Sequence, residues 1–428
     1  MFGSFILPLS DTDAADADRV GPKAANLARL ARAGLPTPGG FCITAQAYHR
    51  QLEHLGLGAV VHAYADACRD GDESAQRRRA VELRLALYQG DLAPDLLPEI
   101  LAAWRQQRKP TAVRSSALIE DRADSSFAGQ FESFLGLGED SEFLTALRAC
   151  WAALWATNAR RSMAQHDLDP SSTAMAILVQ PLVAARASGG GLSETAEGQM
   201  LVSATWGLGS AIAQGEVVPD RIVLSRHGFV RSNEAGRKHH RETCPHGAGL
   251  ATQAVPDALA RTPCLQAGQA TTLGRLMRKA EDVLGMSVEI EWALDDEGFR
   301  LLQARPLRVQ QPHVPDEIWL KHPGLSGHPA GIGWGSGRAV VVNCECELAR
   351  VAPGDILVTR VAGPALSHIL PRLAGVVAEL GGSTSHLASL ARERGIPTVL
   401  GVLDATRRIP DGAQVAVDGV AGVVRWRA

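Results

Sequence analysis

Residues 381–401 read GGSTSHLASLARERGIPTVLG, and the folding of the C-terminal part of the chain can be worked out from this stretch. Two glycines predict a tight turn after a strand, and His386 then falls in the first turn of a helix that ends at Gly395. An imidazole there faces free backbone N–H groups and the positive end of the helix dipole, which lowers its pKa and keeps it neutral. The pattern therefore predicts a nucleophilic histidine that can accept a phosphoryl group, and a capping or core histidine is the alternative.

Short β-branched segments surround this predicted helix and are separated by Gly-Asp or Asp-Gly turns. They indicate strands at 339–342, 355–359, 375–379, 414–417 and 422–425. Residues 323–428 are therefore predicted to form a small α/β domain. Residues 310–322 contain two prolines and no hydrophobic period, which is typical of a linker.

The longer N-terminal part, residues 1–309, has a mixed pattern. Apolar spacing predicts a helix over 23–33 that stops at Gly34, and a helical zone over 45–108. Buried strands are expected at 112–114 and 175–180, with further strands and helices beyond them. We expect an α+β body of two lobes, with the break near 185–200.

Composition excludes several classes of protein. The chain has 428 residues with 43 Lys and Arg against 46 Asp and Glu, and no basic block of the kind that phosphate backbones require. A nucleic-acid partner is therefore not expected. The sequence shows neither a signal peptide nor a long apolar run, so we expect no membrane association and a cytoplasmic location. Seven cysteines, an odd number, are expected to be reduced thiols.

Phosphate chemistry is suggested by a segment that follows the first predicted strand. Arg114 lies at the end of that strand and can donate two hydrogen bonds to a phosphate. The Ser- and Gly-rich residues 126–133 leave backbone N–H groups available for the same purpose. Gln180 ends the strand at 175–180, where a polar residue has no necessary function.

A predicted hairpin supplies oxygen ligands. A three-residue loop at 296–298 would place Glu291 opposite Gln303 and Glu289 opposite Arg305. Two carboxylates, an amide and a guanidinium would then share one face, as Mg²⁺ and polyphosphate require. The alternative is an ordinary solvated hairpin face.

The segment at 381–401, together with residues 353–357 and 417–419, resembles the phosphohistidine swivelling domain of the phosphoenolpyruvate synthase, pyruvate phosphate dikinase and rifampin phosphotransferase superfamily. Residues 20–27 and 34–41 look like the start of that family's ATP-grasp-like nucleotide-binding domain. The resemblance implies that His386 carries phosphate between two sites. It also implies nucleotide contacts for Lys23, Arg114, Gly129, Ser133, Gln180 and Arg305, with Glu291 and Gln303 as ligands of Mg²⁺.

The function that this resemblance implies is an ATP-dependent phosphotransferase of the dikinase type, which releases AMP and phosphate. The acceptor is expected to be a small molecule, bound by this chain or by a separate acceptor subunit, since the linker leads directly into the swivelling domain. One alternative is a ligase that activates its substrate by phosphorylation. The other is a non-catalytic nucleotide sensor, and such a sensor would lack His386 or the Mg²⁺ ligands. Residues 187–193 are richer in glycine than the family pattern, which would loosen a loop over the phosphates.

Overall fold

The computed structural model describes residues 5–120, 131, 133–164, 167–244, 249–307, 309, 319, 321–361 and 363–427. The chain divides into two compact units. The first comprises residues 1–183, 244–251 and 300–305, and the second comprises residues 184–243, 252–299 and 306–428. The predicted linker lies almost entirely outside the described residues, and the predicted domain limits therefore stay predictions.

The α-helices are α1 (Ala17–Arg32), α2 (Ala45–His54), α3 (Gly58–Arg69), α4 (Glu73–Gln89), α5 (Leu96–Arg105), α6 (Asp140–Ala153), α7 (Thr157–Ala164), α8 (Ser210–Ala213), α9 (Asp257–Ala260), α10 (Ala267–Leu284), α11 (His386–Arg394) and α12 (Ala405–Arg408). The strands are β1 (Ile6–Pro8), β2 (Phe41–Ile43), β3 (Thr111–Ala117), β4 (Ser133–Leu137), β5 (Met175–Pro181), β6 (Ala187–Leu192), β7 (Met200–Trp206), β8 (Asp220–Leu224), β9 (Val230–Glu234), β10 (His240–Thr243), β11 (Ala251–Ala254), β12 (Val288–Asp295), β13 (Gly298–Pro306), β14 (Gly324–Ser326), β15 (His328–Gly331), β16 (Trp334–Val342), β17 (Ile356–Thr359), β18 (Gly375–Ala378), β19 (Thr398–Leu400), β20 (Gln414–Asp418) and β21 (Val423–Arg427).

The first unit is built on an antiparallel sheet, the N-terminal sheet, with strand order β1-β2-β5-β3-β4. Side chains alternate across it, so its two faces meet different helices. Leu178 packs with helix α1, whereas Val113 and Val179 join a core supplied by helices α2 to α7. The predicted helical zone and both predicted strands are confirmed.

The second unit contains two large sheets. Strands β12, β6, β7, β8 and β9 lie side by side, in that order and antiparallel, and form the middle sheet. The loop expected at 187–193 is wrong, because Ala187–Leu192 forms the buried strand β6. A Cβ on Gly189 would lie 1.9 Å from the Ser203 oxygen, and one on Gly191 would lie 2.9 Å from the Met277 sulfur. Glycine is there because neighbouring atoms leave no room for a side chain.

The C-terminal sheet has eight strands in the order β14-β21-β20-β16-β17-β18-β19-β15. Its centre, β16 to β19, is parallel, and its outer pairings are antiparallel. Apolar clusters that contain Val376 on one face and Val377 on the other bury both faces, as expected for a sheet with a parallel centre. The predicted strands and the helix after residue 385 are confirmed.

One expectation about cysteines is wrong. Cys344 and Cys346 form a disulfide, with Cα atoms 5.4 Å apart, in the exposed 3-10 turn that follows β16. Two residues separated by one position in such a turn come within bridging range. The other five cysteines are free thiols, as expected. No helix in the described part of the chain is both long and apolar enough to cross a bilayer.

Candidate active site

A kink near the start of helix α1 positions Lys23, the first of the predicted nucleotide contacts. Gly21 has φ 76°, and a Cβ there would lie 2.4 Å from the Ser116 oxygen on strand β3. Pro22 restarts the helix, a position that suits its fixed φ and missing N–H. The Ser116 hydroxyl donates to the Val20 carbonyl at 2.7 Å and accepts from the Ala24 N–H at 3.2 Å. The helix N-terminus is thus fastened to β3.

Lys23 lies in the first turn after this kink and is buried, with 6% of its surface exposed. Its ammonium donates to the Ser115 carbonyl at 2.9 Å and forms an ion pair with the Glu120 carboxylate at 2.8 Å. No partner for Lys23 could be identified from the sequence, although Glu120 lies only six positions after the predicted phosphate ligand Arg114. The predicted contact between Lys23 and phosphate stays a prediction.

Three of the predicted nucleotide contacts share one face of the N-terminal sheet. Arg114 on β3 lies directly opposite Ser133 on β4 and Leu178 on β5, and Gln180 is two positions along β5 from Leu178. Since alternate residues point to the same side, Arg114, Ser133 and Gln180 belong to the face that packs on helix α1. The Gln180 amide is buried and donates to the Gly39 carbonyl at 3.2 Å.

The segment 300–305 brings two further predicted residues into the first unit. The Leu301 N–H donates to the Pro36 carbonyl at 2.8 Å, and the Asn26 amide on helix α1 donates to the Ala304 carbonyl at 3.2 Å. Gln303 and Arg305 flank Ala304 and therefore lie beside the helix that carries Lys23. Gln303 is buried, with 9% of its surface exposed.

The remaining predicted nucleotide and metal residues do not join this group. Gly129 lies outside the described residues. Glu291, on β12, belongs to the second unit, so its pairing with Gln303 as a metal site stays a prediction. No group of three or more His, Cys, Asp or Glu side chains in the described ranges is arranged to hold a metal. One carboxylate and one amide fit Mg²⁺ only when substrate phosphates supply further oxygens.

His386 is the first residue of helix α11 in the second unit. Ser385 caps the helix, because its hydroxyl accepts from the Ala388 N–H at 3.2 Å, and Gly395 ends it with φ 65°. Residues 381–385, which we call the histidine loop, follow the parallel strand β18. His386 is half-buried at the first position of the helix, and the free N–H groups of a helix N-terminus bind phosphoryl oxygens in other proteins.

The histidine loop lies against one face of the middle sheet. Gly190 on β6 is directly opposite Glu291 on β12, so the two residues share that face. A Cβ on Gly190 would lie 2.5 Å from the Thr384 Cβ, two residues before His386. The histidine loop, which leads directly into His386, therefore rests on the face that carries the predicted metal ligand Glu291.

A buried ion pair holds the same two parts together. Glu289 is two positions from Glu291 and on the same face, and its carboxylate pairs with Arg392 of helix α11 at 2.9 Å. The Ser389 hydroxyl donates to the other Glu289 oxygen at 2.8 Å. The side chains of Glu289 and Arg392 are only 9% and 5% exposed.

A second contact lies at the start of the histidine loop. The Gly381 N–H donates to the Val217 carbonyl at 3.1 Å, and Arg237 donates to the Glu379 carbonyl at 3.2 Å. His328 of strand β15 is next to this loop. Burial, together with the positive charges of Arg221 and Arg237, lowers the pKa of His328 to about 4. The ring is therefore neutral in the folded protein at pH 7.

Sequence reasoning missed Arg392, Ser389, Thr384 and Gly190. Arg392 and Ser389 read as ordinary residues of a helix, and no local pattern links them to a glutamate about a hundred positions away. Gly190 did give a signal, because three consecutive glycines in a β-rich region indicate close approach of another backbone or side chain.

Two family models match this chain. Residues 17–319 match the family model described as pyruvate phosphate dikinase, AMP/ATP-binding domain, and residues 351–422 match that of the PEP-utilising enzyme, mobile domain. The phosphoenolpyruvate synthase of Aeropyrum pernix is 30% identical, over 95% of this chain and 56% of its own length. The probable phosphoenolpyruvate synthase of Archaeoglobus fulgidus is 31% identical over 98% and 58%, and the enzyme of Escherichia coli is 30% identical over 95% and 55%. The chain thus spans a little over half the length of these relatives.

Proposed function

The chain belongs to the phosphoenolpyruvate synthase and pyruvate phosphate dikinase superfamily, and from that premise we propose that it transfers a phosphoryl group from ATP to His386 and then to a second acceptor. It contains an AMP/ATP-binding domain and a PEP-utilising mobile domain in a mixed α/β fold. The finer description of the nucleotide-binding region as ATP-grasp-like is part of the proposal, as is a cytoplasmic location.

One observation carries this proposal. The histidine loop packs on the face of the middle sheet that presents Glu291, through the close approach of Thr384 to Gly190. A histidine that accepts a phosphoryl group from a magnesium nucleotide must come within bonding distance of the phosphate, so its carrier must be able to rest beside the metal ligands.

We assign the triphosphate to the basic residues of the first unit. Glu120 and the Ser115 carbonyl take two of the three N–H donors of the Lys23 ammonium, and we assign the third to a phosphate oxygen. Arg114 and Arg305 present guanidinium groups that can each donate two parallel hydrogen bonds. Gly129 and Ser133 would donate to phosphate, and the buried Gln180 would meet the adenine edge.

Magnesium would be held by Glu291 and Gln303 together with phosphate oxygens, and it would neutralise charge on the phosphates. The residues of the chain position the reactants and stabilise the charge that develops as the bond to phosphorus changes. The His386 nitrogen bonds the β-phosphorus as the bond from that phosphorus to the AMP oxygen breaks. Water then removes the γ-phosphoryl group as phosphate, so AMP, phosphate and phosphohistidine are the products.

The proposed acceptor is a small molecule, bound by this chain or by a separate subunit. Because its relatives are named phosphoenolpyruvate synthases, pyruvate is the first acceptor to test. We expect ATP labelled with ³²P at the β position to give protein label that is acid-labile and base-stable, and pyruvate or another acceptor to discharge it.

The decisive variant is His386→Asn, which keeps a polar side chain of similar size at the helix start. It should abolish labelling while ATP still binds, as measured by calorimetry. His328→Asn is the matched control, because His328 is the other partly buried histidine beside the histidine loop, and it should keep the label. Retention of label by His386→Asn would overturn the assignment.

A further inference from the structure

We propose that Glu289 is a positioning residue. It fixes the register of the histidine-bearing domain, by which we mean the position of helix α11 and the histidine loop on the middle sheet. This inference rests on the proposed transfer to His386, because register matters only if that histidine must meet a bound nucleotide. Glu289 is distinct from the predicted metal ligand Glu291, and it acts through helix α11 and not on the reacting atoms.

The contacts of the Glu289 carboxylate point to this role. One oxygen accepts from the Ser389 hydroxyl at 2.8 Å and the other accepts from the Arg392 guanidinium at 2.9 Å. Both donors belong to helix α11, which begins with His386. Ser389 and Arg392 are three and six positions after His386, so fixing both of them fixes the rotation and the height of the helix that carries the imidazole.

Arg392 is itself held rigidly within the C-terminal domain. Its guanidinium donates to the Ala330 carbonyl at 3.1 Å, to the Ser383 carbonyl in the histidine loop and to the Ser389 hydroxyl at 3.2 Å. Glu289 therefore meets a guanidinium whose orientation the domain has already set. Fixed geometry on one side is what an ion pair needs to select one docked arrangement.

The burial of this pair makes it a selector of register. Bringing two charges out of water is costly, and a buried pair recovers that cost only in good geometry. If the domain rested on the sheet in another position, Glu289 and Arg392 would both be buried without their partner. The correct arrangement is therefore favoured over its neighbours, while the domain can still leave, because water solvates both charges once they separate.

The experiment compares Glu289→Gln with Glu281→Gln in the full chain. Glu281 forms a bidentate pair with Arg226 at 2.9 and 3.0 Å. Both residues lie outside the C-terminal sheet and helix α11. Loss of this ion pair therefore weakens the second unit without changing a contact of helix α11. Hydrogen exchange of residues 383–392 and 187–192 reports docking. Calorimetry reports ATP binding, and the single-turnover rate of His386 labelling reports transfer.

Glu289→Gln should raise exchange in both segments and lower the labelling rate at least about tenfold, with ATP affinity unchanged, because an uncompensated Arg392 is left at the interface. Glu281→Gln should do neither. If Glu289→Gln shows the same hydrogen exchange as the wild-type protein, the inference is overturned. Failure of the wild-type protein to take any label would instead contradict the proposed function, and the exchange result would still decide this inference.

Discussion

Replacing Gly190 with alanine should separate the histidine loop from the middle sheet. The new Cβ would lie 2.5 Å from the Thr384 Cβ, whereas carbon atoms rest about 3.5–4.0 Å apart, so the loop must retreat by about 1 Å. Strand β6 has ordinary extended geometry at this position, so alanine itself fits the backbone. A misplacement of about 1 Å can cost about 100-fold in rate, and we expect a loss of that size in His386 labelling.

The assay is single-turnover labelling at saturating ATP, with thermal unfolding measured in parallel. Gly268→Ala is the matched control, since a Cβ there has no atom within 4 Å and the position lies in the first turn of helix α10. It should label at the wild-type rate. If Gly190→Ala labels as fast as wild type while remaining folded, the loop does not load in the docked position seen here, and the proposed function loses its main support.

Three further predictions concern stability and redox state. Lys23→Met should lower the free energy of unfolding by about 3 kcal/mol in urea titrations, because it leaves a buried carboxylate unpaired, whereas Arg77→Met, in an exposed pair, should change it by less than about 0.5 kcal/mol. Because burial lowers the pKa of His328 to about 4, the contribution of this residue to the unfolding free energy should be full above pH 6.5 and should fall by about 1.5 kcal/mol between pH 6.5 and 5. A His328→Asn variant that showed the same fall in unfolding free energy would contradict this cause. The unfolded protein should expose its five free thiols to a thiol reagent before reduction and all seven cysteines after it, and seven without reduction would exclude the Cys344–Cys346 disulfide.

Features with a local physical cause could be predicted from the sequence. The start of helix α11 at His386 follows from a serine cap, and its end follows from a glycine with positive φ, so both are set by neighbouring residues. Arg114 and Gln180 each belong to a predicted strand, whereas Ser133 was expected in a Ser- and Gly-rich segment. The face that Ser133 shares with them therefore became visible only with the pairing of β4 to β3.

Features that depend on distant parts of the chain could not be predicted. Glu289 and Arg392 are 103 positions apart, and no sequence pattern around either residue indicates that the two form an ion pair. The run Gly189–Gly191 has the composition of a loop, yet it forms a buried strand because its neighbours approach too closely for side chains. The Cys344–Cys346 disulfide depends on a turn that hydrophobic periodicity does not detect.

The guanidinium of Arg392 contacts the Ser383 carbonyl and the Glu289 carboxylate at the same time. This one side chain therefore joins the loop before His386 to the middle sheet, so the proposed phosphorylation of His386 and the docking of that loop can affect each other through it. If docking favours attachment of the phosphoryl group by some factor, attachment must favour docking by the same factor, and the reverse holds for inhibition. The phosphorylated and unphosphorylated protein would then differ in the equilibrium between the docked and undocked arrangements of the histidine loop.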